Sequence, residues 1–203
     1  MYTPKPFAME GPDAIRAHIE AHPFAALVVQ RESGIEAVHV PLLLDTDDGK
    51  RLRGHIARAN GVFDAGLEGA EVLAIFSGPQ GYVSPGWYPS KRENPKVVPT
   101  WNYTAVHASG TLHFHEDRDW LLRNVGDLTD RFEADRAEPW SLDDAPRDYL
   151  EAMVRGIVGL EIKITRIDGK AKLSQNRPEE DRRSVIEGLE RDGAEALARL
   201  MRG

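Results

Sequence analysis

The feature of this sequence that most constrains its fold is a series of short apolar segments separated by tight-turn residues. Residues 24–30 and 35–44 flank Ser33-Gly34, and Asp47-Asp48-Gly49 precedes residues 51–56. Such spacing predicts strands joined as antiparallel hairpins. Further strands are predicted in the segments 71–76, 106–115, 160–167 and, after a turn at Asp168-Gly169, 170–175.

Helices are predicted at both ends of this meander and as insertions, mostly late in the chain. The helical segments are 11–20, 58–67, 120–132, 146–157 and 179–201. The regular alternation of strand and helix of a doubly wound sheet is missing, as are its glycine-rich turn and any Walker-type loop. We therefore predict an α+β, mainly β fold, a small antiparallel barrel. One domain is expected over 1–203, with a helical insertion at about 117–157 and a C-terminal helix at about 179–202.

Composition limits the classes of function. The chain has 203 residues, no cysteine and a net charge of −7. Disulfides, thiol nucleophiles and cysteine metal sites are excluded. The net negative charge disfavours DNA binding by bulk electrostatics, although an acidic chain can still carry a local basic patch that binds DNA. No apolar run is long enough to cross a bilayer and no secretion signal is visible, so we expect a cytoplasmic protein with no membrane partner.

An aromatic segment is the strongest functional signal. It runs from Tyr82 to Lys91 (YVSPGWYPSK) and resumes from Val98 to Tyr103 (VPTWNY). Proline and glycine prevent regular helix there. A rigid loop that carries flat rings and hydrogen-bonding side chains suits a planar, polar ligand. The alternative interpretation is a buried aromatic corner that clamps two strands.

Two polar clusters add candidate ligands. In Gly54-His-Ile-Ala-Arg-Ala-Asn60, Arg58 can grip a phosphate and Asn60 can cap a following helix whose free N–H groups attract anions. In the segment 170–177, Lys172, Ser174 and Asn176 would share one face of a strand and present donors to a phosphate or a heterocycle. A surface arginine with an ordinary cap, and a lysine-protected sheet edge, are the alternatives.

Histidines give little support for a metal site. His113 and His115 are two residues apart, so on a strand they would point to the same face. No third ligand is evident nearby in sequence, and we predict no metal. His55 and His107 are candidate proton donors, with a structural role as the alternative.

Taken together, these motifs resemble the PaiB-type family of FMN-binding negative transcriptional regulators. The resemblance rests on the aromatic segment, on Arg53-Gly-His-Ile-Ala-Arg-Ala-Asn60 and on Lys172-Leu-Ser-Gln-Asn-Arg177. Met1-Tyr-Thr-Pro and His39-Val-Pro-Leu-Leu-Leu44 are also similar, and the likeness extends to about Arg183. Gly86 departs from the family pattern, in which a serine precedes the tryptophan.

The resemblance implies an antiparallel split β-barrel of the flavin-reductase and pyridoxamine-phosphate-oxidase type, with peripheral helices. It also implies a homodimer with FMN between its subunits. Arg58, Lys172 and the segment that begins at Asn60 would hold the phosphate, and Trp87, Tyr88 and Trp101 would shield the ring. The full set of expected FMN ligands is His55, Arg58, Asn60, Ser84, Trp87, Tyr88, Lys91, Thr100, Trp101, Asn102, Lys172, Ser174, Gln175 and Asn176.

Three functions follow from the resemblance and stay open at this point. The first is a repressor of transcription that contacts promoter DNA. The second is a flavin-dependent oxidoreductase, because folds of this type often host hydride transfer between nicotinamide and flavin. The third is a flavin-binding or storage module without catalysis. Fold does not decide among them, because function belongs to the site.

Overall fold

A computed structural model describes residues 1–45 and 49–202. Within those ranges the chain forms seven strands: β1 (Phe24–Arg31), β2 (Gly34–Pro41), β3 (Leu43–Leu44), β4 (Arg51–Ala57), β5 (Glu71–Val83), β6 (Thr100–His115) and β7 (Ile157–Lys172). The described residues also form five α-helices: α1 (Pro12–Ala21), α2 (Arg118–Glu133), α3 (Arg147–Arg155), α4 (Glu179–Arg191) and α5 (Glu195–Arg202). In the described part of the chain, no helix has the length and apolarity needed to span a membrane.

The strands form one sheet in the order β2-β1-β5-β6-β7-β4-β3. β1 and β2 make the predicted hairpin, in register from Phe24↔Pro41 to Arg31↔Gly34. Gly34 has a φ of 128°, a conformation that L side chains rarely adopt, so a glycine is needed at this turn. β4 pairs antiparallel with β7. Of the second predicted turn, Asp47 and Asp48 lie outside the described residues.

The chain divides into two compact units, which we describe separately. Unit 1 comprises Met1–Ala21, Phe76–His107 and Asp168–Gly203, and unit 2 comprises His22–Ile75 and Ala108–Ile167. Strands β5, β6 and β7 therefore contribute residues to both.

Unit 2 carries the β1–β2 hairpin, β4 and the helical insertion α2–α3. Its core includes the fully buried Leu27, Leu52, Leu160 and Ile162. Helix α2 begins where Asp117 Oδ1 accepts a hydrogen bond from the Trp120 backbone N at 2.8 Å, an N-cap that satisfies a free donor. The Trp120 ring fills the space above Gly159 of β7, where an added Cβ would lie 2.1 Å from the indole. This contact seats α2 against the strand.

Unit 1 is built around helices α4 and α5. Its core joins the last residues of β5 to the two helices, through Val83, Tyr88, Val185, Leu189, Leu197 and Met201. Trp87 packs against Gly188, where a Cβ would lie 2.4 Å from the indole. The aromatic segment is therefore fixed to α4.

The structure confirms most predicted elements and extends three of them. β5, β6 and β7 are longer than the sequence predicts, and the aromatic segment begins inside β5 and ends inside β6. The expected turn at Asp168-Gly169 is wrong, since β7 runs through it. The Met9 backbone N donates to Gly169 O at 3.0 Å and Ala8 bridges to Lys170, so the N-terminal segment pairs with the strand there.

Two helix predictions also fail. Residues 58–67 form turns and a short 3₁₀ helix, because Asn60 Oδ1 and Asp64 Oδ1 accept hydrogen bonds from backbone N–H groups two residues later. Such local bonds compete with helix formation. The predicted helix over 179–202 is two helices, broken at Gly193, whose φ of 79° is left-handed.

Candidate functional site

The first polar cluster lies in unit 1, where β6 begins and β7 ends. Asn102 is fully buried, and its Nδ2 donates to Ser174 Oγ at 2.9 Å and contacts Met201 Sδ at 3.4 Å. The Ser174 hydroxyl also lies 3.3 Å from Asn102 Oδ1. The structure thus brings together two predicted ligands that are 72 residues apart in the chain.

Ser174 has a φ of 58°, a left-handed conformation that is uncommon for a residue other than glycine. Because β7 ends at Lys172, the prediction that Lys172, Ser174 and Asn176 share a strand face is wrong. Gln175 closes the turn instead: its Nε2 donates to Ala171 O at 2.6 Å, and its Oε1 accepts from Leu173 N at 2.7 Å. Strain of this kind marks positions that the surroundings hold in place.

Lys172 supplies a cation to this cluster. Its Nζ donates to the Thr100 hydroxyl. Among the described residues, Lys172 has no carboxylate partner. A lysine of that kind keeps its charge available for an anion.

Lys170 is a neighbour that the predicted ligand set omits. It is only 8% exposed, and its ammonium lies 5.1 Å from the Tyr103 ring centroid and 5.8 Å from that of Tyr2. Nζ also donates to Tyr2 O at 3.2 Å. Sequence reasoning missed this role of Lys170 because Tyr2 and Tyr103 are far from it along the chain, and only the fold brings both rings to the lysine.

Trp87 and Tyr88 fit the alternative interpretation of the aromatic segment, a packed corner. Trp87 lies on Gly188, and Tyr88 is 3% exposed with the Arg177 guanidinium 4.6 Å from its ring centroid. Burial raises the pKa of the Tyr88 phenol. Its hydroxyl is buried and lacks a hydrogen-bond partner among the described residues.

Trp101 and Tyr82 behave differently. Their side chains are 52% and 47% exposed, and the rings meet edge to face with centroids 6.3 Å apart. These two rings give unit 1 an exposed aromatic surface next in sequence to Asn102.

The remaining predicted ligands of unit 1 are more peripheral. Ser84 Oγ accepts from Gly86 N at 3.1 Å and caps the 3₁₀ helix Pro85–Trp87. Lys91 and Asn176 are exposed. Beside Lys91, Ser90 donates through both its N and its Oγ to the buried Asp181, at 3.1 and 2.7 Å, which ties the loop to α4 a second time.

The second polar cluster lies in unit 2 and contains Arg58. Its Nη1 pairs with Glu116 Oε2 at 2.5 Å, its Nε donates to Arg155 O at 3.1 Å, and its Nη2 donates to Ile157 O at 3.2 Å. The guanidinium also lies 5.6 Å from the Phe63 ring centroid. Each of its nitrogens therefore already has a partner, so a phosphate would have to displace Glu116.

His55 and Asn60 lie near Arg58 in sequence but have local partners. His55 Nδ1 is 3.2 Å from Nδ2 of the fully buried Asn124, and burial lowers the pKa of this histidine. The neutral ring accepts this hydrogen bond at Nδ1, which places its proton on Nε2. Asn60 closes a turn and caps no α-helix.

The histidines of β6 have other partners. His113 Nδ1 lies 2.8 Å from Glu68 Oε1, and the His115 ring stacks on Trp120 at 4.3 Å. Burial acts to raise the pKa of Glu68, but the Phe114 N–H and His113 bring it below its usual value. Among the described residues, no group of three or more histidines or acidic residues is arranged to hold a metal ion.

Comparison with known proteins gives a family match. The family described as "Putative FMN-binding domain" matches residues 1–166. The protein named "Protease synthase and sporulation protein PAI 2" from Bacillus subtilis is 35% identical over 205 residues, covering 99% of this chain and 96% of that protein. An uncharacterized protein of Aspergillus fumigatus is 34% identical over 204 residues, covering 79% of this chain and 78% of its own.

Solved structures show the same fold at low identity. The flavocytochrome Anf3 from Azotobacter vinelandii superposes with a TM-score of 0.61 at 16% identity, over 86% of this chain and 74% of that one. An FAD- and heme-binding protein from Mycobacterium smegmatis gives 0.60 at 18%, over 84% and 76%. At these identities the likeness shows the fold, and it confirms the predicted antiparallel split-barrel class.

Proposed function

This chain belongs to the FMN-binding domain family, and from that premise we propose that it is a cytoplasmic, homodimeric negative regulator of transcription with FMN as its cofactor. The family match over residues 1–166 is the observation that carries the cofactor. The regulatory role is supported by the Bacillus subtilis relative, which is named for protease synthase and sporulation rather than for a chemical reaction.

The side chains of unit 1 fit FMN, which combines a phosphate, a polar ribityl chain and a flat ring. A phosphate needs a cation without a competing carboxylate, and Lys172 beside Thr100 meets that need. Asn102 and Ser174 are 0% and 4% exposed and bond to each other, so they hold the end of β7 beside β6 and position Lys172 for that contact. The exposed rings of Trp101 and Tyr82 offer an apolar surface for the ring.

We assign roles within this set accordingly. Lys172 and Thr100 bind the phosphate, the buried Asn102 and Ser174 position Lys172 through their hydrogen bond, and Trp101 excludes water from one side of the ring. Bound FMN supplies a reversible electron acceptor, so its redox state is a signal that the protein can report. His55, Arg58 and Asn60 stay predicted ligands, as do Ser84, Lys91, Gln175 and Asn176.

The proposed homodimer is supported by an apolar sheet face in unit 2. Phe24 and Ile35 are 64% and 76% exposed, and Val28, Leu73 and Ile75 share their face by strand register. A contiguous apolar face of this kind is typical of an interaction surface. Burying it against the same face of a second copy would make a two-fold interface.

Ile35→Glu should break this dimer, because it places a charge within a dry interface. We expect the variant to sediment as a monomer in analytical ultracentrifugation, and Tyr149→Glu, at another exposed apolar position, to sediment like the wild type. An Ile35→Glu dimer of wild-type stability would rule out this face. Titrating the monomer with FMN then tests whether the cofactor needs both copies.

Direct repression is tested by a gel shift with the protein's own promoter region, with and without FMN. We expect binding at low salt that weakens as salt rises, because phosphate contacts release counterions. A complex that changes with FMN occupancy would support the regulator. Absence of any complex at low salt would contradict it, and rapid reduction of the bound FMN by NADH or NADPH would favour an oxidoreductase instead.

A further inference from the structure

The helical insertion of unit 2 has two adjoining cavities that the proposed function does not use. The first, about 440 Å³, is lined by Arg58, Arg118, Arg155 and Glu116 over the apolar Leu121 and Val154. The second, about 500 Å³, is lined by Leu122, Leu142, Ala145 and Leu150, with Arg147 and Asp143 at its margin. Arg118 and Glu151 line both, so both lie along the contact between α2 and α3.

The two residues that line both cavities, Arg118 and Glu151, form an ion pair. Arg118 Nη2 lies 3.1 Å from Glu151 Oε1, and the same oxygen is 3.7 Å from Arg147 Nε. Arg118 also contacts Asp119 at 2.8 Å. All of these side chains are at least 40% exposed, so the pairs are weak and can exchange with a ligand at little cost.

The first cavity is cationic although the whole chain is acidic. Three guanidiniums line it against the two carboxylates of Glu116 and Glu151. Arg58 is held by Glu116, whereas Arg155 has no carboxylate partner among the described residues. Arg155 therefore offers a guanidinium that no described carboxylate holds, and Arg118 offers one whose pairs with Asp119 and Glu151 are exposed and weak.

The second cavity has an apolar lining of four residues. Leu122, Leu142, Ala145 and Leu150 are each only partly buried, so their apolar surface is left open along the α2–α3 contact. Covering such surface with a hydrocarbon chain is favourable in proportion to the area removed from water.

We propose that this pair of cavities binds an amphipathic carboxylic acid: a small carboxylate with an unbranched or aromatic apolar tail. The carboxylate contacts Arg118 and Arg155, and the tail passes the Arg118–Glu151 pair and lies on Leu122, Leu142 and Leu150. The ligand joins α2 to α3 and so changes how firmly α3 is held. The site does not depend on the roles assigned to unit 1.

The test is calorimetric titration of the FMN-loaded full-length chain with hexanoate, hexan-1-ol and acetate. Hexanoate has both the charge and the tail, whereas each of the other two lacks one. We expect hexanoate to bind at least about ten-fold more tightly than either, since each half of the site contributes. Leucine methyl NMR should show shifts at Leu122 and Leu150 and none at Leu189, which lies in the core of unit 1.

Variants separate this site from other surfaces. Arg118→Ala combined with Arg155→Ala should weaken hexanoate binding by at least about ten-fold. Arg123→Ala, an exposed arginine on α2 outside both cavities, should leave it unchanged. Circular dichroism and the visible spectrum of FMN report whether each variant is folded and loaded. Equal binding of hexanoate and hexan-1-ol, or an unaffected double variant, would falsify the proposal.

Discussion

The polar clusters of the two units differ in whether their cations are already neutralised. In unit 2, Arg58 is paired with Glu116 and two backbone carbonyls. In unit 1, Lys172 is bonded only to the Thr100 hydroxyl among the described residues. An anion gains most from a cation that it need not share. Both residues were predicted as phosphate ligands once the family resemblance implied FMN, and the comparison favours Lys172.

The largest effect should follow from removing the available cation. We expect Lys172→Ala to weaken FMN binding by about 30-fold, because one charge-assisted hydrogen bond to the phosphate is lost. The measurement is a titration of FMN followed by the quenching of its fluorescence. Lys96→Ala, an exposed lysine in unit 1, is the matched control and should bind like the wild type. If Lys172→Ala bound FMN as tightly as the wild type, Lys172 would not be the phosphate ligand.

A smaller effect is expected at the neutralised cation. Arg58→Ala should change FMN affinity less than about three-fold, since Glu116 already occupies the guanidinium. Glu116→Gln sharpens the test, because it frees Arg58 without removing it. If FMN binds several-fold more tightly to Glu116→Gln but not to the double variant with Arg58→Ala, then Arg58 does contact the phosphate.

The smallest effect concerns pH and the buried His55 of unit 2. Burial lowers the folded-state pKa of His55 below its ordinary value of 6.5, so folding favours the neutral ring. The stabilisation is complete above about pH 6.5 and is lost as the pH falls through the folded pKa, because the unfolded chain binds the proton first. Urea unfolding at pH 7.5 and 5.0 measures the loss.

His55→Gln should reduce that difference in the free energy of unfolding. Burial also lowers the pKa of His22, so part of the loss persists in the variant. Glu68 contributes little over this interval, because its ordinary pKa of 4.5 and its lowered folded-state pKa both lie below pH 5.0. An identical pH dependence in wild type and variant would show that the pKa of His55 is the same in the folded and the unfolded chain.

Sequence reasoning located the strands because apolar alternation and turn residues are local signals. It failed where a distant segment, or a side chain bonded to its own local backbone, decided the outcome. The turn expected at Asp168-Gly169 is a continuous strand because residues 8 and 9 pair with it. The helix expected at 58–67 is absent because Asn60 and Asp64 bond to their own backbone, a competition that propensity alone does not resolve.

The sequence predicted which residue types form the candidate site, but it did not predict how they are arranged in space. Asn102 and Ser174 were both named, but their hydrogen bond requires β6 to meet the end of β7. The strand-face argument for Ser174 failed because its backbone is left-handed. Glu116, which neutralises Arg58, gave no signal in the sequence, since an acidic residue 58 positions away is ordinary until the fold brings it near.

The double attachment of the aromatic segment to α4 has a consequence for how this part of the chain loses structure. Trp87 rests on Gly188 and Ser90 bonds to Asp181, so neither segment can loosen without exposing a partner of the other. Amide protons on the two segments should therefore exchange with solvent in a single cooperative step. A protease cut near residue 178 would loosen the aromatic segment as well as helices α4 and α5.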